Sequence, residues 1–195
     1  MENKKQEFID LFNKYITREG SKKLLDWLIS SDFFVTPASS RFHSNCEGGL
    51  CMHSLNAYYR FKKLIISEYG ENYAKVISEE SIAIIGLLHD VCKVNFYEVD
   101  YRNVKVDGTW VQKPYYKINE ELPFGHGEKS VYIINGFIRL TREEALAINW
   151  HAGGFDMRVK AGSMSFADAY YKYPTALLFH LADMEATYLD EHVYN

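Results

Sequence analysis

Two imidazoles and two carboxylates lie in stretches of this chain that are otherwise apolar. His89 and Asp90 directly follow one apolar run, Asp183 follows another, and His53 lies near the start of a third segment with helical spacing. An ionised carboxylate in such surroundings costs several kcal/mol unless it is paired or bound to a cation. Imidazole and carboxylate together suit a borderline or hard divalent ion, namely Mn, Fe, Co, Ni, Zn or Mg. These four residues therefore predict a shared metal site.

Helical periodicity surrounds each of these residues. The apolar spacing predicts helices from about Leu50 to Tyr69, from about Ser78 to Cys92 and from about Pro174 to Asp190. Neighbouring residues on a helix point about 100° apart, so His89 and Asp90 can face one ion only from a helix end or a distorted turn. Further helices are predicted over residues 8–16, 24–29, 128–139 and 141–151. Ligands from three helices would then converge, as in the cofactor centres of helical bundles.

The periodicity changes between residues 95 and 119. Apolar residues there alternate with polar ones, and Asp107-Gly108 supplies a two-residue turn, which predicts a β-hairpin insertion. Its aromatic residues include Tyr97, Tyr101, Trp110, Tyr115 and Tyr116. We expect these rings to pack the hairpin onto the helices, with stacking on a nucleobase as the alternative. The predicted fold is an all-α helical bundle with a small β-hairpin, in a single domain over residues 1–195.

Composition limits the partners and the compartment. The 195 residues carry a formal charge of −4 with the histidines neutral, so no basic field exists to hold long duplex nucleic acid. The three cysteines are an odd number without zinc-finger spacing, and no run of roughly 18 apolar residues occurs. The first residues also lack an apolar signal core. We expect a cytoplasmic protein that binds a small phosphorylated ligand and no membrane, in an oligomeric state that stays open.

The order of these ligand-type residues resembles a known superfamily. His53, the pair His89-Asp90 and then Asp183, spread over a helical chain, look like the HD-domain superfamily of metal-dependent phosphohydrolases. The resemblance covers most of the chain, from about Gly48 to Glu185. It implies an all-helical fold of the HD-domain type in which these four residues bind a divalent cation.

Two further histidines extend the resemblance. His126 and His151 lie between the His-Asp pair and Asp183, as the additional ligands do in two-metal members of the superfamily. The resemblance therefore implies a second ion, held by His126 and His151, with Asp90 bridging the two ions. Lys93 matches the lysine that follows the His-Asp pair by three residues in phosphodiesterase-like members.

The segment around His53 narrows the expected substrate. Residues 48–56, GGLCMHSLN, are similar to a pattern in the HD domain of bacterial 3′-5′ exoribonucleases that trim short RNA. This chain departs from those enzymes because it lacks an N-terminal OB-type nucleic-acid-binding domain. A nucleotide, a cyclic nucleotide or a short oligonucleotide is therefore the expected substrate.

The reaction that the resemblance implies is attack of a metal-bound hydroxide on a phosphoester. Asp90, Lys93 and His126 are the candidate catalytic residues. Cationic donors stabilise a transferring phosphoryl group, so Arg41, His43 and Lys93 are candidate phosphate contacts. For Lys93, a favourable charge at a helix C-terminus is the alternative. Two other functions stay open: a non-catalytic sensor module that holds metal or nucleotide, and an HD-type diiron oxygenase.

Overall fold

The computed structural model describes residues 2–42 and 44–191, which form a mostly helical fold with one β-hairpin. The α-helices are α1 (Glu2–Tyr15), α2 (Ser21–Ser30), α3 (Gly49–Tyr69), α4 (Glu79–Leu88), α5 (His126–Asn135), α6 (Arg142–Asn149), α7 (Met157–Lys160), α8 (Ser165–Lys172) and α9 (Pro174–Glu185). Short 3₁₀ turns span Gly70–Lys75, Val91–Lys93 and Gly153–Phe155, and a π-helical turn spans Ala186–Asp190. Within the described residues, no helix combines the length and the apolar character needed to cross a bilayer. A mostly helical fold with a hairpin is thus confirmed.

The hydrophobic core lies between α3, α4, α6 and α9, with α1 packed against the outside of α3 and α4. Phe61 of α3 and Phe179 of α9 are fully buried, and their ring centroids lie 5.1 Å apart. Burying a side chain of this size stabilises the fold by about 1.5–3 kcal/mol. The His89 ring packs edge-on against Phe179, with centroids 5.0 Å apart. Packing against the core therefore holds the His89 ring in position.

Two glycines allow the ligand-bearing helices to approach closely. A Cβ on Gly86 of α4 would lie 2.6 Å from the Cα atom of Tyr58 in α3. A Cβ on Gly127 of α5 would lie 2.2 Å from the backbone oxygen of Asn149 in α6. Real Cβ atoms essentially never come under 3.0 Å of another heavy atom, so only glycine fits at either crossing. The first crossing brings the segment of His89 to that of His53, and the second brings His126 towards His151.

The helix ends differ from the predicted ones by a few residues. Helix α4 ends at Leu88, and the chain then turns through Asp90 (φ −107°, ψ 16°) into a 3₁₀ turn. Helix α5 begins at His126, two residues before the predicted start, because a capping interaction from Glu128 to the Gly125 N–H closes its first turn. The predicted capping box of α6 is confirmed, with Thr141 as N-cap, but the helix ends at Asn149. Helices α7 and α8 were not predicted.

The β-hairpin consists of β1 (Tyr97–Val106) and β2 (Thr109–Ile118), paired antiparallel. Asp107 and Gly108 have φ values of 48° and 85°, as a type I′ turn requires. The hairpin prediction is confirmed, but the packing prediction is wrong for its outer part. Tyr101 and Trp110 are 62% and 69% exposed, because both faces of the two strands are largely exposed.

Candidate metal centre

The structure brings together the four residues that the apolar context singled out. His53 Nε2 lies 3.1 Å from Asp183 Oδ1, 3.2 Å from His89 Nε2 and 3.5 Å from Asp90 Oδ2. His89 Nε2 lies 3.6 Å from Asp90 Oδ2 and 3.7 Å from Asp183 Oδ1. Ligand atoms about 2.1 Å from a common ion are separated by roughly 3.0–3.4 Å in octahedral or tetrahedral geometry. These five separations are thus close to the spacing of donor atoms around one ion, and His53, His89 and Asp90 form one group of potential metal ligands.

Hydrogen bonds on the far side of the rings determine which nitrogen faces the centre. His89 Nδ1 lies 3.0 Å from the Gly86 carbonyl oxygen, and His151 Nδ1 lies 2.7 Å from that of Ile148. A carbonyl oxygen only accepts, so Nδ1 holds a proton in each ring and Nε2 is the nitrogen that faces the centre. Burial lowers the pKa of His89 to about 3, which keeps this ring neutral. The donor set therefore fits a metal ion, since ligating histidines are held in this way.

Asp90 faces two groups of imidazoles with its two oxygens. Oδ2 is directed to His53 and His89, whereas Oδ1 lies 2.8 Å from His126 Nε2 and 3.5 Å from His151 Nε2. The ring centroids of His126 and His151 are 5.2 Å apart. The structure thus places all six residues of the predicted ligand set in one cluster around this carboxylate.

Cys92 belongs to the same cluster, although it was not among the predicted ligands. Its Sγ lies 3.2 Å from His126 Nδ1 and 4.0 Å from Asp90 Oδ1. Asp90, Cys92 and His126 form a second group of potential metal ligands beside His53, His89 and Asp90. A thiol at this position adds a soft donor to an otherwise hard set.

Lys93 contacts the candidate centre through Asp90. Its Nζ donates to Asp90 Oδ2 at 2.5 Å, and the residue is only 7% exposed. Burial alone would raise the pKa of Asp90, but Lys93 and the neighbouring histidines hold it well below its usual range. The Lys93 ammonium therefore keeps Asp90 ionised. The bond to Asp90, more than a favourable charge at a helix C-terminus, determines the position of the Lys93 side chain.

Exposure shows from which side the centre can be reached. The side chains of His53, His89 and Asp90 are at most 2% exposed, whereas those of His126 and Asp183 are 38% and 16% exposed. Among the described residues of the cluster, His126 and Asp183 are therefore the ones that a small molecule would meet first.

The structure describes one of the two other predicted phosphate contacts. Arg41 lies exposed in the loop before α3, where it borders a cleft next to β2. The other predicted contact, His43, lies outside the described residues. Of the two predicted contacts that the structure describes, Lys93 is the one that contacts Asp90.

Glu191 and His180 support the predicted ligands, although neither was among the predicted site residues. Glu191 Oε1 lies 3.0 Å from His53 Nδ1, and the same carboxylate accepts from Asn56 Nδ2 (3.1 Å) and Ser44 Oγ (2.6 Å). His180 donates from Nδ1 to the His151 carbonyl oxygen at 2.6 Å, which supports the backbone of that ligand. No pattern marks Glu191, since it stands among other charged residues near the end of the chain.

Glu191→Gln should weaken metal binding about 10- to 100-fold, because a carboxylate that accepts from a ligating imidazole orients the ring and raises its basicity. Glu185→Gln is the matched control, since that carboxylate pairs with Arg60 on the surface at 3.2 Å. Titration of the metal-free protein with Mn²⁺, followed by calorimetry, measures both. Equal affinity of Glu191→Gln and the control would contradict the assigned role.

Protons occupy the cluster in the metal-free protein. Burial alone would lower the pKa of His53, but its bonds to Asp183 and Glu191 raise it to about 10. Burial would likewise lower the pKa of His126, whereas Cys92 and Asp90 raise it to about 10. Both imidazoles are thus protonated at neutral pH when no cation is bound.

Metal affinity should therefore rise with pH. A ligating imidazole must be deprotonated, so below pH 10 the cation has to displace these protons, and affinity increases up to about tenfold per pH unit for each proton displaced. We expect this increase between pH 6 and pH 8. Calorimetry in buffers of different ionisation enthalpy counts the protons released, and an affinity independent of pH would contradict the prediction.

No protein-family model, curated protein or solved structure matches the chain. Support for a function therefore comes from the side chains of the cluster. The cluster consists of four histidines and two aspartates, and the carboxylate of Asp90 lies between its two groups of imidazoles. Such a donor set can hold divalent ions, and one side of it is open to a ligand.

Proposed function

We propose that this protein is a metal-dependent phosphohydrolase of the HD-domain superfamily. Its substrate would be a phosphoester of a nucleotide, a cyclic nucleotide or a short oligonucleotide. One observation carries the proposal: the two oxygens of Asp90 face two separate groups of imidazoles, His53 with His89 and His126 with His151. A carboxylate placed in this way suits two adjacent cations, and two-metal centres recur in enzymes that cleave phosphoesters.

The residues would divide between two ions. His53, His89 and Asp183 would hold the first ion, His126 and His151 the second, and Asp90 would contact both. When bound, the ions lower the pKa of a water molecule and stabilise the charge that develops on the phosphoryl oxygens. The metal identity is left open by this donor set, which suits Mn, Fe, Co, Ni, Zn and Mg.

The chain supplies positioning, access and charge. The buried rings of His53 and His89 are held rigidly by Glu191 and the Gly86 carbonyl, so the site needs little rearrangement to bind a cation. His126, the most exposed of these six residues, borders the open side, so the ion that it would hold lies where a substrate can reach it. Lys93 keeps Asp90 ionised and supplies positive charge beside it.

The net charge and the free cysteines indicate the size of the substrate and the cell compartment that we propose. The net charge of −4 disfavours long polyanions, so a small substrate in the cytoplasm agrees best with the chain. All three cysteines, Cys46, Cys51 and Cys92, are free thiols. Reduced thiols are the usual state in the cytoplasm.

A metal count paired with a turnover assay tests the proposal. We expect two ions per chain in the protein as purified, one ion in the double variant His126→Ala/His151→Ala, and hydrolysis of at least one nucleotide, cyclic nucleotide or dinucleotide with Mn²⁺. Chelated protein and chelated protein reloaded with Mn²⁺ serve as controls. Retention of two ions without turnover of any such substrate would point to a sensor module instead. Activity that requires dioxygen would point to an oxygenase.

A further inference from the structure

A cleft of about 530 Å³ lies between the loop before α3 and strand β2. Its walls carry three cationic side chains, Arg41, Arg102 and Lys117, together with the rings of Tyr115 and Tyr116. The cleft was not predicted from the sequence, because Arg41 and the hairpin residues are separated by about 60 positions. It unites one predicted phosphate contact with the aromatic residues of the hairpin.

The charges of this cleft are only partly neutralised. Lys117 pairs with Glu98 at 3.0 Å, and Asp100 accepts a hydrogen bond from the Tyr115 hydroxyl at 3.2 Å. Neither Arg41 nor Arg102 has a carboxylate within 4.0 Å among residues 2–42 and 44–191. Two guanidinium groups are thus available to an anion, in a protein whose net charge is negative.

The side chain of Arg102 packs on the ring of Tyr115 in the cleft. The guanidinium carbon of Arg102 lies 5.4 Å from the centroid of the Tyr115 ring, so the two planes hold each other in place. Guanidinium groups bind phosphate through two parallel N–H bonds, and tyrosine faces or guanidinium planes accept any stacked nucleobase. An acidic peptide would use the charges but not the rings.

Both walls of the cleft are tied to the metal centre. Arg41 is three residues from Ser44, whose hydroxyl donates to Glu191, the carboxylate that contacts His53. Ile118, at the end of β2, lies opposite Tyr97, only four residues after Lys93. Since four residues span at most about 14 Å, the base of the hairpin lies close to the cluster.

We infer that this cleft binds the sugar-phosphate backbone and a base of a short single-stranded oligonucleotide. The part of the inference that concerns cleavage rests on the proposed function, and it selects the oligonucleotide from the three substrate classes. A cyclic mononucleotide at the centre would leave the cleft empty. The flanking strand instead occupies it, while the phosphoester to be cleaved reaches the centre.

Binding without metal tests this inference independently of turnover. The probe is a fluorescein-labelled hexanucleotide with phosphorothioate linkages, titrated in EDTA and followed by fluorescence anisotropy. The variant is Arg41→Glu/Arg102→Glu, and the control Lys75→Glu/Lys105→Glu changes the charge equally at exposed positions outside the cleft. We expect at least a 20-fold weaker Kd for the cleft variant and less than a threefold change for the control. The salt dependence should fall by a slope of about 1.4 for two lost phosphate contacts.

The outcomes separate the two proposals. Equal weakening in both variants, or competition by hexaglutamate as effective as by unlabelled hexanucleotide, would overturn the cleft assignment. If the wild-type protein does not hydrolyse any phosphoester but the variant still loses hexanucleotide binding, the proposed function fails and the binding site stands.

Discussion

Asp90→Asn should reduce hydrolysis at least about 10³-fold, equivalent to about 4 kcal/mol of transition-state stabilisation. The reason is that this carboxylate alone faces both groups of imidazoles, at 3.5 Å from His53 Nε2 and 2.8 Å from His126 Nε2. An amide keeps the shape but loses the charge that both cations require. Metal analysis of the purified variant should therefore show fewer than two ions per chain, and steady-state kinetics with Mn²⁺ should show the loss in kcat.

The controls for this substitution separate chemistry from folding. The substitution leaves the buried ammonium of Lys93 without its ionic partner, and an unpaired buried charge costs about 3–5 kcal/mol. The double variant Asp90→Asn/Lys93→Met removes both charges, so it should regain thermal stability while staying inactive. Asp26→Asn, at an exposed position on α2, should retain full activity. An active, fully metallated Asp90→Asn protein would contradict the bridging role.

Gly86→Val should lower the unfolding free energy by about 3 kcal/mol, at the upper end of the usual cost of overpacking. The new side chain would begin 2.6 Å from the backbone of Tyr58, so α3 and α4 would have to separate. For a chain of this size, about 1 kcal/mol corresponds to roughly 2–4 °C in Tm, so a fall of about 6–12 °C is expected. Metal affinity should fall as well, since the same crossing sets the 3.2 Å distance between His53 Nε2 and His89 Nε2.

Gly154→Val is the matched control for this prediction. No atom lies within 4 Å of a Cβ built at Gly154, and its φ is not positive. Its Tm should change by no more than about 2 °C, because exposed substitutions usually alter stability by less than about 0.5 kcal/mol. Equal Tm values for the two variants, measured by calorimetry in EDTA, would show that the helix crossing tolerates a side chain.

The clustering of these ligand-type residues could be predicted because they are polar residues in apolar stretches of the sequence. Asp90 and Asp183 are acidic residues in apolar helical stretches, so their need for a partner could be inferred without knowing the fold. The hairpin could be predicted because Asp107-Gly108 favours positive φ at both positions. These features are local, so one-dimensional patterns contain them.

Contacts between distant segments could not be predicted in this way. Glu191 is 138 positions from His53, and nothing in its neighbours marks it as buried. Helices α7 and α8 were missed because they have only 4 and 8 residues, which is too short for a helical period to be recognised.

The carboxylate of Glu191 lies just beyond the π-helical turn, so the last described turn of the chain closes over a ligand from its first third. Bringing such remote segments together has an entropic cost that grows slowly with the length of chain between them. A cation held by residues of α3 and α9 and by His89 after α4 would bind only the native state, and at a free concentration 1,000 times its Kd it would stabilise that state by about 4 kcal/mol. Metal supply in the cell would thereby set how much of this protein is folded, and not only how much of it is active.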